Sequence, residues 1–147
     1  MANTPSVDDA HRRPDGASDA LVEAVGKVSE ALEWVERARG HLYELHQQMG
    51  HADLLFGEAA DALEEAGATR QAELLRAEVV GRNILDGRWT FQVVEEFDDG
   101  YYAAIRAAEA QVRDDLMDGR RHVFEGEMKE RRRTKDHPDH KIGRAHV

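Results

Sequence analysis

Apolar residues recur along the chain at alternating steps of four and three, which is the spacing of one face of an α-helix. A first series runs from Leu21 to Val35. After Val35 the series changes phase, and it resumes at Leu42 and continues to Ala66. This pattern predicts long amphipathic helices, and Gly67 supplies the left-handed position that commonly follows a helix end.

The phase change lies beside Gly40, so we predict a kink or a helix break within residues 38–41. Ser18 or Asp19 is a suitable N-cap for the helix that precedes it. Two arrangements then bury the apolar stripes. The chain bends back at Gly40 into a four-helix bundle, or it dimerises along an extended helical surface. We favour the bent bundle, and we expect it to self-associate.

The second half of the chain predicts two further helices. One begins near Thr69 and ends within residues 80–83, and two glycines with an Asp-Gly pair predict a turn over residues 81–88. Thr90 is placed to cap the last helix, whose apolar stripe continues past Gly119 and weakens toward Lys135.

The predicted fold is all-α: an elongated antiparallel bundle of three to four helices, with long first and last helices. We predict a disordered lead over residues 1–17, a helical bundle over residues 18–135 and a polar tail over residues 136–147. The last six residues, 142–147, back-translate to ATC GGA AGA GCA CAC GTC, which resembles the start of a sequencing-library adapter. We therefore expect them to be adapter read-through and leave them out of the fold.

The amino-acid composition and the charge distribution exclude several classes of function. The absence of cysteine excludes disulfides, thiolate zinc sites and cysteine nucleophiles. No apolar run resembles a signal peptide or a membrane span, so we expect a cytoplasmic protein that does not enter membranes. The net charge of −10 combines −14 over residues 1–118 with +4 over residues 119–147. We do not expect nucleic-acid binding, because the chain is acidic overall and the basic end lacks aromatic platforms.

Histidines and acids in the middle of the chain are candidate metal ligands. His41 and Glu44 are three residues apart and therefore share a helix face, and an imidazole beside a carboxylate suits iron, manganese or zinc. The Glu-x-x-His pairs of di-iron bundles do not occur in the sequence.

The segment from His46 to Glu65 resembles the second helix of the miniferritin family of ferritin-like proteins. In that family a histidine, an aspartate fifteen residues later and a glutamate four beyond it supply an iron site between subunits. His46, Asp61 and Glu65 keep these intervals. The position of the family's first histidine is occupied here by Trp34, and the family's oligomer-forming motifs are missing. The resemblance implies a metal site formed by these residues, with His41 or Glu44 as further ligands.

Residues 87–102 contain five of the nine aromatic residues, interleaved with acids. One interpretation is structural: Trp89 and Phe91 close the end of the bundle while arginines pair with the acids. The other is a pocket or partner groove, because pockets combine apolar walls with a few polar groups. The segment from Val80 to Tyr102 is also similar to uncharacterised actinobacterial helical proteins, a family that implies no activity. The predicted ligand or partner surface comprises Arg82, Asn83, Arg88, Trp89 and Glu96.

The sequence lacks the phosphate-binding, dinucleotide-binding, nucleophile-elbow and zinc-protease motifs. We therefore expect a helical-bundle protein that acts by self-association or by binding another helical protein, without catalysis and without a cofactor. The alternative is a ferritin-like bundle that binds iron, manganese or zinc for a redox or storage role.

Overall fold

The computed structural model describes residues 7–141, and within them the chain is all-α, as predicted. The predicted adapter segment and the first six residues of the predicted lead lie outside this range. No strand occurs among the described residues, which hold only an isolated bridge between Leu85 and Arg88. The helices are α1 (Asp19–Glu65), α2 (Thr69–Glu78), α3 (Thr90–Phe97), α4 (Ala103–Met117) and α5 (Val123–Arg132).

The first helix is continuous over its 47 residues, so the break predicted at residues 38–41 and the bend at Gly40 are wrong. A glycine inside a helix costs only about 1 kcal/mol, which a long packed helix tolerates. Both predicted ends are confirmed. The Ser18 hydroxyl accepts a hydrogen bond from the Leu21 amide at 3.1 Å, and Gly67 has a φ of +84° just beyond the C-terminus.

The phase change in the apolar stripe lies near a boundary between two parts of the chain. By their contacts, the described residues form two units: one contains residues 7–34 together with residues 104–141, and the other contains Val35–Ala103. The apolar stripe of α1 therefore changes phase close to the residues where the helix passes from one unit to the other, and α1 itself is unbroken there.

The first unit has a small apolar core formed by Val22, Val25, Met117 and Val123. Gly26 allows α5 to approach α1 closely, since a Cβ on Gly26 would lie 3.1 Å from the Cβ of Phe124.

Ionic contacts also hold the first unit together. In the predicted lead, Asp9–His11 form a 3₁₀ turn, and the Arg13 guanidinium donates two hydrogen bonds to Glu127 at 2.6 and 3.0 Å. Glu109 is buried, and it accepts hydrogen bonds from Arg113 at 2.7 Å and from Ser29 at 3.1 Å. The Arg13–Glu127 and Ser29–Glu109 contacts connect residues far apart in the sequence, so no local pattern predicted them.

The single last helix predicted to Lys135 is wrong, because the chain leaves the helix after Met117. Asp118, Gly119 and His122 have positive φ angles of 52°, 71° and 54°, and α5 begins only at Val123. Left-handed backbone at these positions interrupts the ladder of helical hydrogen bonds. Upstream, the predicted helix is continuous from α3 through a π-helical segment, Asp98–Tyr102, into α4.

The second unit contains the rest of α1, α2, α3 and the π-helical segment. Its most buried side chains are Ala60, Ala72, Thr90 and Val94. The predicted turn between α2 and α3 is confirmed. Each helix in residues 7–141 is too short or too polar to be a membrane-spanning segment.

Candidate functional site

One face of α1 in the second unit is apolar but poorly covered. Leu45, Met49 and Phe56 keep about two fifths of their surface exposed, and Leu55 keeps half. Their spacing, with the small Ala52 between them, places them on one side of the helix. An exposed apolar stripe of this length is typical of a protein interaction surface. We call it the α1 stripe and define it as Leu45, Gln48, Met49, Ala52, Leu55, Phe56, Ala59 and Ala62.

A cavity of about 360 Å³ opens beside the α1 stripe, within the same unit. Asp53 accepts a hydrogen bond from the Gly81 amide at 2.7 Å, which fixes the turn after α2 against α1 at the cavity wall. The walls are mainly apolar, with a few polar groups, as in many ligand and partner pockets. The lining residues are Met49, Ala52, Asp53, Phe56, Glu78, Val79, Arg82, Asn83, Ile84, Trp89 and Thr90.

The residues predicted as a ligand or partner surface divide between two places. Arg82, Asn83 and Trp89 line the cavity. Arg88 and Glu96 instead bind each other, with the Arg88 Nε 2.5 Å from a Glu96 carboxylate oxygen. The arginine holds the pKa of Glu96 below its ordinary value. This exposed pair links the turn to α3. Such pairing of an arginine with an acid is what the structural interpretation of residues 87–102 predicted.

The acids at the other end of that block are also paired. Asp98 accepts two hydrogen bonds from Arg39 at 2.7 and 2.8 Å, and the Tyr102 hydroxyl donates to Glu36 at 2.6 and 2.7 Å. Asp98 and Tyr102 are the first and last residues of the π-helical segment. The wider turn of a π-helix changes the direction in which its side chains point. The Asp98–Arg39 ion pair and the Tyr102–Glu36 hydrogen bonds therefore attach the π-helical segment to α1.

His46 is part of the packing between α1 and α3. Its Nδ1 lies 2.9 Å from the hydroxyl of the buried Thr90, and the rings of Tyr43 and Phe91 meet its ring edge to face at 5.7 and 6.3 Å. One ring nitrogen is thus already engaged, and the ring is half-buried between aromatic neighbours.

The structure does not bring the predicted metal ligands together within one chain. His46 and Asp61 are fifteen residues apart on α1, about 22 Å along the helix axis. Asp61 binds Arg76 at 2.8 Å, and Glu65 lies exposed at the end of α1. His41 and Glu44 are exposed, with 3.9 Å between their nearest polar atoms.

A different group of metal-ligand side chains was missed in the sequence. Glu33, His122 and Glu125 each offer one ligand atom, and these atoms lie within 4.8 Å of one another in the first unit. Only His122 and Glu125 are close in sequence, so spacing could not reveal the group. The positive φ of His122, which forms the turn before α5, was equally invisible to pattern analysis.

Comparisons of the chain with protein-family models, curated proteins and solved structures found no match. The resemblances to the miniferritin second helix and to actinobacterial helical proteins therefore stay predictions.

Proposed function

We propose that this protein acts by self-association, and that the α1 stripe is the surface through which two copies pair. The observation that carries the proposal is the exposure of large apolar side chains on one helix face, with Leu45, Met49, Leu55 and Phe56 each 40–50% exposed. Full burial of an exposed side chain of this size stabilises by roughly 1.5–3 kcal/mol, and the 40–50% still exposed here leaves about half of that for an association.

Charge is absent from this face. Over nearly five helical turns, the α1 stripe contains apolar residues and the single uncharged polar residue Gln48. Depletion of charge is typical of the centre of a protein interface. The acids and histidines of α1, such as Glu44, His51 and Glu58, lie outside the stripe, where they would form a solvated rim.

A second copy is favoured as the partner because the stripe complements itself. Its positions follow a heptad pattern, with Met49 and Phe56 alternating with Ala52 and Ala59 at steps of three and four. If two copies run antiparallel about residue 54, Phe56 of each faces Ala52 of the other, and Met49 faces Ala59. Large side chains then meet small ones, which is the arrangement that fills a helix interface without voids.

A parallel pairing in register lacks this complementarity. It would place Phe56 against Phe56 and Ala52 against Ala52, so crowded layers would alternate with empty ones. Empty space in an interface forfeits dispersion contacts. The antiparallel pair also covers part of the cavity, since Met49, Ala52 and Phe56 belong to its wall. The proposal includes the cytoplasmic location predicted from the sequence.

Sedimentation velocity over a range of concentrations tests the proposal. We expect the wild-type chain to be a dimer and the Phe56→Glu variant to be a monomer, because a carboxylate would be buried against the partner's apolar face. Leu54→Glu is the matched control: Leu54 is 68% exposed and lies on the other side of α1, so this variant should remain a dimer.

Circular dichroism of each variant checks that the helical content is retained. A wild-type chain that is monomeric at every concentration would overturn self-association and leave another helical protein as the occupant of the stripe. A Phe56→Glu dimer with wild-type affinity would overturn the assignment of the surface.

A further inference from the structure

The side chains of Glu33, His122 and Glu125 converge at the surface of the first unit. Their ligand atoms lie within 4.8 Å of one another, and Nδ1 of His122 is 3.9 Å from a carboxylate oxygen of Glu125. Glu33 comes from α1, whereas the other two come from the first turn of α5 and the residue before it. We propose that these three side chains bind a divalent transition-metal ion of the Zn²⁺ class.

The chemistry of the three groups supports this class of ion. An imidazole with two carboxylates suits zinc, manganese or ferrous iron, whereas calcium and magnesium prefer oxygen ligands alone. Bonds of about 2.1 Å to a tetrahedral ion place its ligand atoms about 3.4 Å apart. Small rotations of exposed side chains close the observed spacing to this value, and a water molecule completes the four-coordinate shell.

Most carboxylates that form an ion pair within residues 7–141 are bound by an arginine. The carboxylates of Glu33 and Glu125 have no arginine partner. Glu109 is bound by Arg113 and Glu127 by Arg13. In contrast, the Glu33 side chain forms no hydrogen bond or ion pair with any residue in the range 7–141, and the Glu125 carboxylate is paired only with His122 there. Two carboxylates therefore meet at one imidazole, and neither forms an ion pair with a lysine or arginine among residues 7–141.

The neighbouring surface adds to the negative potential and gives an ion access. A cavity of about 360 Å³ adjoins the group, and Glu33 and Glu125 form part of its wall. Its other charged side chains are Glu23, Lys27 and Glu30, so acids exceed bases. A metal ion in this position would join α1 to the start of α5 and so stabilise the first unit.

Isothermal titration of the chelator-treated, untagged protein with zinc chloride tests the site. We expect one zinc ion to bind per chain and the melting temperature to rise on binding. Glu33→Gln and His122→Asn should each weaken binding by about tenfold or more, since even outer-shell changes in metal sites have effects of that size. Asparagine is chosen because it tolerates the left-handed backbone that His122 adopts.

Two control variants make the result specific. Glu30→Gln removes a charge from the same cavity wall without removing a member of the group, so it should bind zinc like the wild type. His137→Ala with His140→Ala removes the other adjacent histidine rings, which are 4.3 Å apart in the C-terminal segment. Wild-type affinity in Glu33→Gln, or loss of binding only in the tail variant, would overturn the proposal.

Discussion

Arg39 and Asp98 form a two-point ion pair, with Nε 2.7 Å from Oδ1 and Nη2 2.8 Å from Oδ2. The guanidinium also lies over the rings of Tyr102 and Tyr43, at 5.3 and 5.8 Å from their centroids. Planar bidentate geometry and aromatic stacking are contacts that arginine makes and lysine does not. The pair attaches the π-helical segment to α1, and it holds the pKa of Asp98 below its ordinary value.

This ion pair predicts a pH-dependent contribution to stability. Because the pKa of Asp98 is lowered in the folded protein, the contribution is fully present above the ordinary aspartate pKa of about 3.9. It is lost as the pH falls through the lowered folded value. Asp98→Asn should therefore melt at a lower temperature than the wild type at pH 7, and this difference should shrink progressively below about pH 4.

Asp99→Asn is the matched control for this measurement. Asp99 is the exposed neighbour of Asp98 and forms no ion pair with any residue in the described part of the chain. The Asp99→Asn variant should have the same melting curve as the wild type at pH 3 and at pH 7. A melting difference for Asp98→Asn that is the same at pH 3 and pH 7 would show that the ion pair is not its source.

The contact between His46 and Thr90 predicts a structural role for this histidine. Thr90→Val removes the hydroxyl that the imidazole contacts at 2.9 Å, and Thr90 is only 4% exposed. We expect the free energy of unfolding to fall by about 1 kcal/mol, with Thr90→Ser recovering part of it. Thr69→Val, at the exposed first residue of α2, is the control in the same urea titrations. An equal loss in both valine variants would contradict this role.

Met117 is the most deeply buried large side chain of the first unit, at 1% exposed, and it packs with Val22, Val25 and Val123. Met117→Ala should lower the free energy of unfolding by about 2–5 kcal/mol, because the cavity it leaves cannot fully collapse. Met128→Ala is the control, since Met128 is 40% exposed, and we expect a change within about 0.5 kcal/mol. Similar losses in the two variants would contradict the placement of the core.

Local backbone preference separates the features that the sequence predicts from those that it does not. Features set by local backbone preference were predicted, such as the Ser18 cap, the left-handed Gly67 and the turn after α2. The continuity of α1 through Gly40 was not, because a glycine penalty of about 1 kcal/mol is small beside the packing of a 47-residue helix.

The site residues divide in the same way. The sequence indicated an interaction surface around Arg82, Asn83 and Trp89, since an aromatic cluster beside a turn is visible in the sequence. The group of Glu33, His122 and Glu125 was not visible, because tertiary contacts assemble it. The exposure of the α1 stripe was likewise invisible: spacing shows that residues share a face, but not whether anything covers that face.

We predict that the two copies pair in the antiparallel direction. The chain contains no cysteine, so a single introduced thiol is unique in each copy. In the antiparallel pair centred on residue 54, Leu55 lies beside Leu55 of the second copy, whereas Gln48 lies beside the second copy's Ala62. The two Gln48 positions are then about 20 Å apart along the axis, out of reach of a short thiol cross-linker.

Leu55→Cys should therefore cross-link efficiently into a covalent dimer on a denaturing gel, and Gln48→Cys should not. A parallel pair in register would place each position level with its own copy, so the two variants would cross-link to the same extent. Each variant must first sediment as a dimer, so that a missing cross-link reports direction and not loss of association. Efficient cross-linking through Gln48→Cys would overturn the antiparallel arrangement while leaving self-association through the α1 stripe intact, because the stripe carries no charge along its length in either direction.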